Sequence, residues 1–480
     1  MRKQFLIYIL LLSVTMATAA TPPLKQRVKG CVTAEGKPLQ GVVVSDGENF
    51  AVTDTKGVFS LEKGGKAPFV FIVTPSGYIA RQTEGFPQFY LPVDGRKSYD
   101  FDLLPFAAEG YELLAVGDPQ PQTEEHMTRL SGEVMPELEK IVEECRERNS
   151  LPEAAILLGD IVWDRMHLMP GVKQEFSRLG IPVYPVIGNH DHDLGCDNDF
   201  DATHAYRDNF GPTYYAFNMG GTCFIVLDDI VYYGKKEYDE RIDDRQLDWL
   251  EKLVQYIPKG SRVCVAMHAP VMKYWRGRYQ QPSNRRLFKL LSDYELHLLT
   301  GHTHINSNYD VAPGIIEHNV AQINGNLWHA PLNSDGSTKG LCIITDKDGE
   351  WSWIYRSLGH GDDYQMRTWL PGELKAHKQF AVAKIWGWDP HWTVVWYEDG
   401  RYRGAMEQVS MADPDYMAFV DTAEVAPRLK NNLLNSVREA EFYFRALPSK
   451  GAREIRIEAT DRNGRRWTET VDLTAVKSGK

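Results

Sequence analysis

The chain has 480 residues, 43% of them hydrophobic and 25% charged, with a formal net charge of −11. That length exceeds one ordinary core and predicts two to four folded domains, while the composition excludes a disordered chain. The acidic balance argues against nucleic-acid binding or general attachment to anionic membranes, because such affinity rests on cations displacing counterions.

Residues 1–20 read as a signal peptide. Met1-Arg2-Lys3 is a short basic start, Phe5 to Val14 an apolar run, and Ala17-Thr18-Ala19 suits small-residue cleavage. The run is too short to span a membrane and no stop-transfer pattern follows it. The mature protein is therefore expected to be periplasmic or secreted, without a transmembrane segment. No cysteine beside the cleavage region offers a lipid site, and an N-terminal anchor remains only if cleavage fails. Loss of Arg2 and Lys3 makes the mature chain still more acidic.

Residues 24–106 predict an N-terminal β-sandwich domain. Val42-Val43-Val44, Phe50-Ala51-Val52 and Val58-Phe59-Ser60-Leu61 are short β-rich runs, separated by Asp46-Gly47 and Lys56-Gly57. No ligand cluster stands out there, so a structural or docking role is expected.

Between 110 and 358, apolar strands alternate with helical stretches, which argues for an α/β layered domain. Met127, Leu130, Val134, Leu138, Ile141, Val142 and Cys145 recur in steps of three and four, an amphipathic helix with Pro136 as a kink or break. Asp243-Asp244 open a second helix ahead of Leu247, Leu250, Leu253 and Val254. Five apolar runs in this region end in polar tips. Leu113–Val116 leads to Asp118 and Gln120, Ala155–Leu158 to Asp160, and Val183–Ile187 to Gly188-Asn189-His190-Asp191. Val263–Met267 leads to His268, and Leu296–Leu299 to Gly301-His302-Thr303-His304. Each delivers a carboxylate, amide or imidazole where a strand stops, the place where α/β sheets bind ligands. Such N and O donors suit a pair of first-row divalent ions sharing one carboxylate.

Residues 362–476 predict a C-terminal β-rich domain. Its strands are Phe380-Ala381-Val382, Thr393–Trp396, Glu441–Phe444 and Ile455–Ile457, with turns at Asp399-Gly400 and Asn463-Gly464. Trp386, Trp388 and Trp392 read as core or interdomain residues in preference to a carbohydrate-stacking face. Six cysteines over this length are no disulfide framework: Cys223, Cys264 and Cys342 sit in apolar runs, and Cys31 and Cys196 are left as candidates for pairing.

Taken in order, Asp118-Pro119-Gln120, Gly159-Asp160, Gly188-Asn189-His190-Asp191, His268 and Gly301-His302-Thr303-His304 resemble the signature of calcineurin-like metallophosphoesterases. The resemblance runs from about Tyr111 to Tyr355, and the flanking domains resemble β domains attached to some secreted bacterial members. It implies a central four-layer α-β-β-α sandwich and two divalent ions (Mn, Fe, Zn or Ni). Asp118, Gln120, Asp160 and His304 would hold the first ion; Asp160, as the bridge, Asn189, His268 and His302 would hold the second. A hydroxide bridging the ions would attack phosphorus, with His190 contacting the phosphoryl group and protonating the leaving oxygen. Asp191 is expected to orient the His190 ring and raise its pKa, or else to turn the loop. Gln120 departs from the histidine of most members, so a weaker first site, or one preferring a harder ion such as Mn or Mg, is expected.

The remaining candidates are peripheral. His192 and Asp193 are expected to carry the loop into solvent, and Asp228-Asp229 to be structural. Arg276, Arg278 and Arg285, in a basic stretch with Tyr274, Trp275 and Tyr279, read either as a grip on substrate or as a solvated loop. Asn324, in Asn324–His329, is a candidate to line the cleft. The expected function is an exported dinuclear phosphoesterase acting on phosphomonoesters or phosphodiesters of a small molecule, lipid or glycan. The rivals are a surface glycan-binding or scaffold protein with a silent phosphoesterase domain, and a metallohydrolase of another substrate class.

Overall fold

Central strands buried on both faces are what stack this molecule into layers. In the computed structural model, which describes residues 26–65, 67–106, 110–149, 153–273, 277–278 and 282–474, two sheets lie face to face. One has the order Val183–Val186, Glu153–Leu158, Tyr111–Val116, Gly340–Lys347 and Glu350–Ser357, its first three strands parallel. The other runs Tyr215–Met219, Thr222–Val226, Arg262–Ala266, Glu295–Thr300, Ile315–Asn319 and Ser307–Ala312, with a parallel centre. Leu113, Ala115, Ile156 and Leu158 join the core between the sheets, while their neighbours Leu114, Val116, Ala155 and Leu157 join a second core under the helices. Both faces are thus buried, as parallel strands require.

The helical layer over the first sheet includes Glu124–Arg129, continued through a π-helical turn, Leu130–Val134, into Met135–Asn149. The widened turn stands immediately before Pro136, whose missing N–H cannot continue the regular ladder, so the helix continues instead of breaking. On the other side Asp243 caps Asp244–Leu253, its side chain accepting from the Gln246 N–H at 2.7 Å. Leu247, Trp249, Leu250 and Leu253 face inward. The result is the four-layer α-β-β-α sandwich.

The N-terminal strands form two larger sheets and a two-stranded ribbon, Gln82–Thr83 with Phe86–Pro87, but this sandwich is no separate appendage. Its Val44, Phe71 and Ile72 share one continuous apolar core with Tyr184, Phe217 and Trp249 of the central layers. Trp249 Nε1 donates to Ser45 Oγ (3.0 Å) and the Tyr214 hydroxyl to the Gly47 carbonyl (2.8 Å). The C-terminal segment is a second sandwich of two four-stranded antiparallel sheets. It also carries two helices absent from the sequence expectation, Pro414–Thr422 and Pro427–Ser436. Asp413-Pro414 and Ala426-Pro427 were the available signals, since proline favours the first helical turn. Trp386 and Trp392 are buried in that domain.

The signal peptide expected over 1–20 lies outside the described residues, as do Tyr274, Trp275, Arg276 and Tyr279. No described helix is long and apolar enough to cross a membrane. All six cysteines are free; Cys31 donates its thiol to Asp100, and neither it nor Cys196 is paired.

Candidate metal centre

The five polar tips arrive at one edge of the stacked sheets. Asp118, Asp160 and Asn189 leave the C-terminal ends of Tyr111–Val116, Glu153–Leu158 and Val183–Val186; His268, His302 and His304 leave those of Arg262–Ala266 and Glu295–Thr300. The cleft therefore straddles both sheets. The backbone there is strained: Asp118 (φ 43°), Gln120 (25°), Asp160 (47°), His302 (68°) and His304 (58°) all adopt the left-handed region. For residues other than glycine this costs about 1–3 kcal/mol each and clusters at functional sites. Gly188 makes room for the convergence, since a Cβ there would lie 2.2 Å from the Asp160 nitrogen and 2.4 Å from its Oδ1.

Two overlapping groups result, each with ligand atoms within 4.8 Å of one another: Asp160, His268 and His302, and Asp118, Asp160 and His304. Asp160 belongs to both. In the first group His268 Nδ1 donates to the Leu158 carbonyl (2.7 Å), and His302 Nε2 to Glu240 Oε1 (3.1 Å). The nitrogens left over face each other, His268 Nε2 lying 3.1 Å from His302 Nδ1, 3.1 Å from Asn189 Oδ1 and 3.2 Å from Asp160 Oδ1. Atoms so placed repel unless a positive charge, a proton on His268 or a metal ion, sits among them. In the second group Gln120 Nε2 stands 2.9 Å from His304 Nε2 and 3.4 Å from Asp160 Oδ2, while its buried Oε1 has no partner. Turning the amide over, a choice the hydrogen-bond network must settle, points that oxygen at Asp160 and His304. The donor set fits two divalent ions of the first transition row, or Mg.

The electrostatics agree. Burial opposes charge on His268, yet Asp160 more than offsets it and holds that imidazole up at about 10. Burial pushes Asp118 well above the carboxylate range, against His268 and with the Asp160 charge adding to it. Burial also pushes His304 down to about 3, leaving a neutral ring with a lone pair. Crowded buried acids and a proton-hungry imidazole are relieved together by a cation.

His190 stands at the rim, its ring stacked on Trp163 at 4.0 Å. Its Nδ1 lies 2.8 Å from Asp164 Oδ1, and Asp164 Oδ2 takes Lys236 Nζ at 2.6 Å. Burial lowers the His190 pKa, but Asp160 and Asp164 outweigh it and raise the group. The orienting role expected of Asp191 thus falls to Asp164, while Asp191 adds only its charge to the raised pKa. Asp191 is fully buried and accepts the backbone N–H groups of Gly188, Ile161 and Val162, because the tight turn Asn189–Asp191 sends adjacent side chains opposite ways. His192 is likewise corrected: it is buried, with Nδ1 on the Gly188 carbonyl and its ring against Tyr232. Asp229 is structural, accepting the N–H groups of His268 and Ala269.

The expected substrate residues scatter. Asn324 is fully buried and donates to the carbonyls of Asp118 and Pro119, so it supports the first metal loop from beneath. Arg276 lies outside the described residues. Arg278 falls in the short ribbon Gly277–Arg278, paired with Met272–Lys273, and Arg285 is exposed on the helix Pro282–Leu290. Sequence reasoning missed Trp163, Asp164, Lys236 and Glu240. Trp163-Asp164 follows Gly159-Asp160 closely enough to have been suspected. Glu240, which orients His302 and is held by Lys273 Nζ at 2.6 Å, comes from a distant hairpin that carries no motif.

Three family models match the chain: the N-terminal domain of calcineurin-like phosphoesterases over residues 26–105, the calcineurin-like phosphoesterase itself over 112–306, and its C-terminal domain over 317–467. The chain is 32% identical over 107 residues to the mouse (Mus musculus) serine/threonine-protein phosphatase CPPED1; that match covers 20% of this chain and 32% of the relative, about a third of its length. Among solved structures, a dimetal phosphatase of Danio rerio shares 14% identity, covering 52% of this chain and 99% of that one with a TM-score of 0.33. A purple acid phosphatase from yellow lupin (Lupinus luteus) seeds shares 13%, covering 64% and 61%, with a TM-score of 0.38.

Proposed function

The chain belongs to the calcineurin-like phosphoesterase family, and from that premise we propose that it is an exported, dinuclear metal-dependent phosphoesterase hydrolysing phosphomonoesters or phosphodiesters. The observation that carries this reading is the set of acceptors from Asp160, Asn189, His268 and His302 aimed at one point, with Asp160 shared by a second such set. Asp118, Gln120, Asp160 and His304 would hold one ion, and Asp160, Asn189, His268 and His302 the other. Two bound divalent ions supply Lewis acidity, generating a strong oxygen nucleophile at neutral pH and neutralising phosphoryl charge.

The chain's own groups prepare the rest. The backbone N–H of His302 donates to both Asp118 oxygens at 3.1 Å and that of His190 to Asp160 Oδ1 at 2.9 Å, so both carboxylates are aimed before any substrate arrives. Asp164 holds a proton on His190 Nδ1, leaving Nε2 to deliver a proton to the leaving oxygen. Gln120 offers a neutral amide oxygen, which makes the first site the weaker of the two. Export is supported by the sequence of residues 1–20; N-terminal sequencing of the mature protein tests it.

The test of the central claim is a metal count on the purified protein, with hydrolysis of p-nitrophenyl phosphate and bis-p-nitrophenyl phosphate measured with and without chelator. About two ions per chain and chelator-sensitive turnover are expected. Asn189→Ala should reduce kcat about 10²-fold or more; full chelator-sensitive turnover in that variant sinks the assignment.

A further inference from the structure

Beyond the Asn189–Asp191 turn the chain makes a loop that brings three more donors together. A carboxylate oxygen of Asp193, the Cys196 sulfur and a ring nitrogen of His204 lie within 4.8 Å of one another. None of these residues belongs to the two groups that share Asp160. The loop is also strongly acidic: Asp197, Asp199 and Asp201 stand between Asp193 and His204, with no lysine or arginine among them. Such a stretch attracts cations.

Each donor is held so that a lone pair is left over. His204 Nδ1 lies 3.0 Å from the Asp201 carbonyl. A carbonyl only accepts, so Nδ1 carries the hydrogen and Nε2 of the neutral ring keeps its lone pair. That is the second contact which orients metal-binding imidazoles. Asp193 Oδ1 accepts the Gly195 N–H at 2.8 Å, which leaves Oδ2 on the side of His204. His204 Nε2 and Asp193 Oδ2 stand 3.8 Å apart, too far for a hydrogen bond. Ligands about 2.0–2.3 Å from one tetrahedral zinc stand roughly 3.4–3.6 Å apart, close to that spacing. Cys196 is a half-buried free thiol. The backbone fixes the loop around it: the Asp193 N–H donates to the Ala202 carbonyl (2.8 Å) and the Cys196 N–H to the Asp193 carbonyl (3.1 Å). The strand Ile230–Gly234 backs the loop, the Tyr232 N–H donating to Asp199 Oδ1 at 2.8 Å.

We propose that Asp193, Cys196 and His204 bind a third metal ion, Zn²⁺ or a divalent ion of similar softness, with water in the fourth position. Thiolate, imidazole and carboxylate together suit zinc and disfavour Ca or Mg. Zinc takes the sulfur as thiolate, and the thiol proton passes to solvent. The ion cross-links the loop leaving Asn189–Asp191 to the helix His204–Phe210. Three protein ligands at a partly exposed site hold metal less firmly than the shared centre. Purified protein therefore keeps two ions and takes up the third from added metal. The inference goes beyond the phosphoesterase reading and does not depend on it.

The test titrates Co²⁺ into the full mature protein, kept reduced by a phosphine. A thiolate-to-cobalt charge-transfer band in the near ultraviolet is expected, saturating at one equivalent and bleached by Zn²⁺. The donors of the shared centre are nitrogen and oxygen only, so cobalt there cannot produce it. Cys196→Ser should abolish the band, and His204→Gln should weaken cobalt binding about 10²-fold, at least as much as loss of an outer-shell partner costs. Cys31→Ser should keep the band. A second measurement needs no variant: Zn²⁺ should slow alkylation of Cys196 by iodoacetamide, followed by peptide mass spectrometry, at least about tenfold. No band in the wild type, a band surviving Cys196→Ser, or alkylation indifferent to zinc overturns the inference. Neither readout involves phosphoester hydrolysis, so its failure leaves the phosphoesterase reading standing, and failure of that reading leaves this one.

Discussion

At the scale of single residues, the centre shows how much work is done by groups that touch no metal position. Glu240 fixes the tautomer of His302 by taking its Nε2–H, so that Nδ1 carries the lone pair. Glu240→Gln should weaken metal retention about 10- to 100-fold, seen as faster loss of one ion to a competing chelator, with activity recovered in excess metal. Unchanged retention removes Glu240 from the support of His302. Asp164 plays the corresponding part for His190. Asp164→Asn should lower kcat by about 10² through loss of an oriented proton donor, leave metal content unchanged, and raise KM little; a change confined to KM argues that Asp164 only shapes the rim.

At the scale of elements, the strands Glu295–Thr300 and Ile315–Asn319 hide a pair of imidazoles, His297 and His318, buried against the other sheet. His297 Nδ1 faces His318 Nε2 at 3.3 Å, His318 Nδ1 faces Asn308 Oδ1, and the rings pack on Trp351 and Trp353 of the other sheet. Burial pushes His297 down to about 3 and His318 well below its ordinary value. Both rings are neutral in the fold but take up protons in the unfolded chain below about pH 6.5. Stability from this pair is thus whole above about pH 6.5 and falls as pH drops towards 3, by about 1.4 kcal/mol per pH unit per ring. Urea midpoints measured between pH 4 and 7 should show that slope, and His297→Phe should flatten it. A slope unchanged by the substitution assigns the acid sensitivity elsewhere.

At the scale of the whole molecule, the three segments are bound by polar contacts as well as by apolar ones. Lys384 and Asp413 form a buried pair in which Lys384 Nζ also donates to the Gly336 carbonyl and Asp413 also caps Pro414–Thr422. One bond of that network reaches the loop of the central domain, so the pair ties the C-terminal sandwich to the layers that hold the site. Lys384→Met leaves Asp413 charged and unpartnered by any cation in that interior, and should cost about 3–5 kcal/mol, read as a lowered urea midpoint. A loss below about 1 kcal/mol would show that the pair behaves like a surface one.

Much of this protein is legible in one dimension. The apolar runs Leu113–Val116, Ala155–Leu158, Val183–Ile187, Val263–Met267 and Leu296–Leu299 are strands because buried parallel strands need unbroken apolar residues, and the polar tips after them can be read as a series. Periodicity likewise reveals the helix over 124–149, and the Asp-Gly and Asn-Gly pairs mark turns of the C-terminal sheets. What sequence order does not contain is which side chain faces which. Asp164 displaces Asp191 as the partner of His190 because a tight turn sends consecutive residues apart. Glu240, Asn326 and Arg438 reach the cleft from segments separated by long stretches of chain. Local pattern follows from backbone geometry and burial, which neighbouring residues determine; partner choice follows from packing between distant elements, and only the folded molecule decides that.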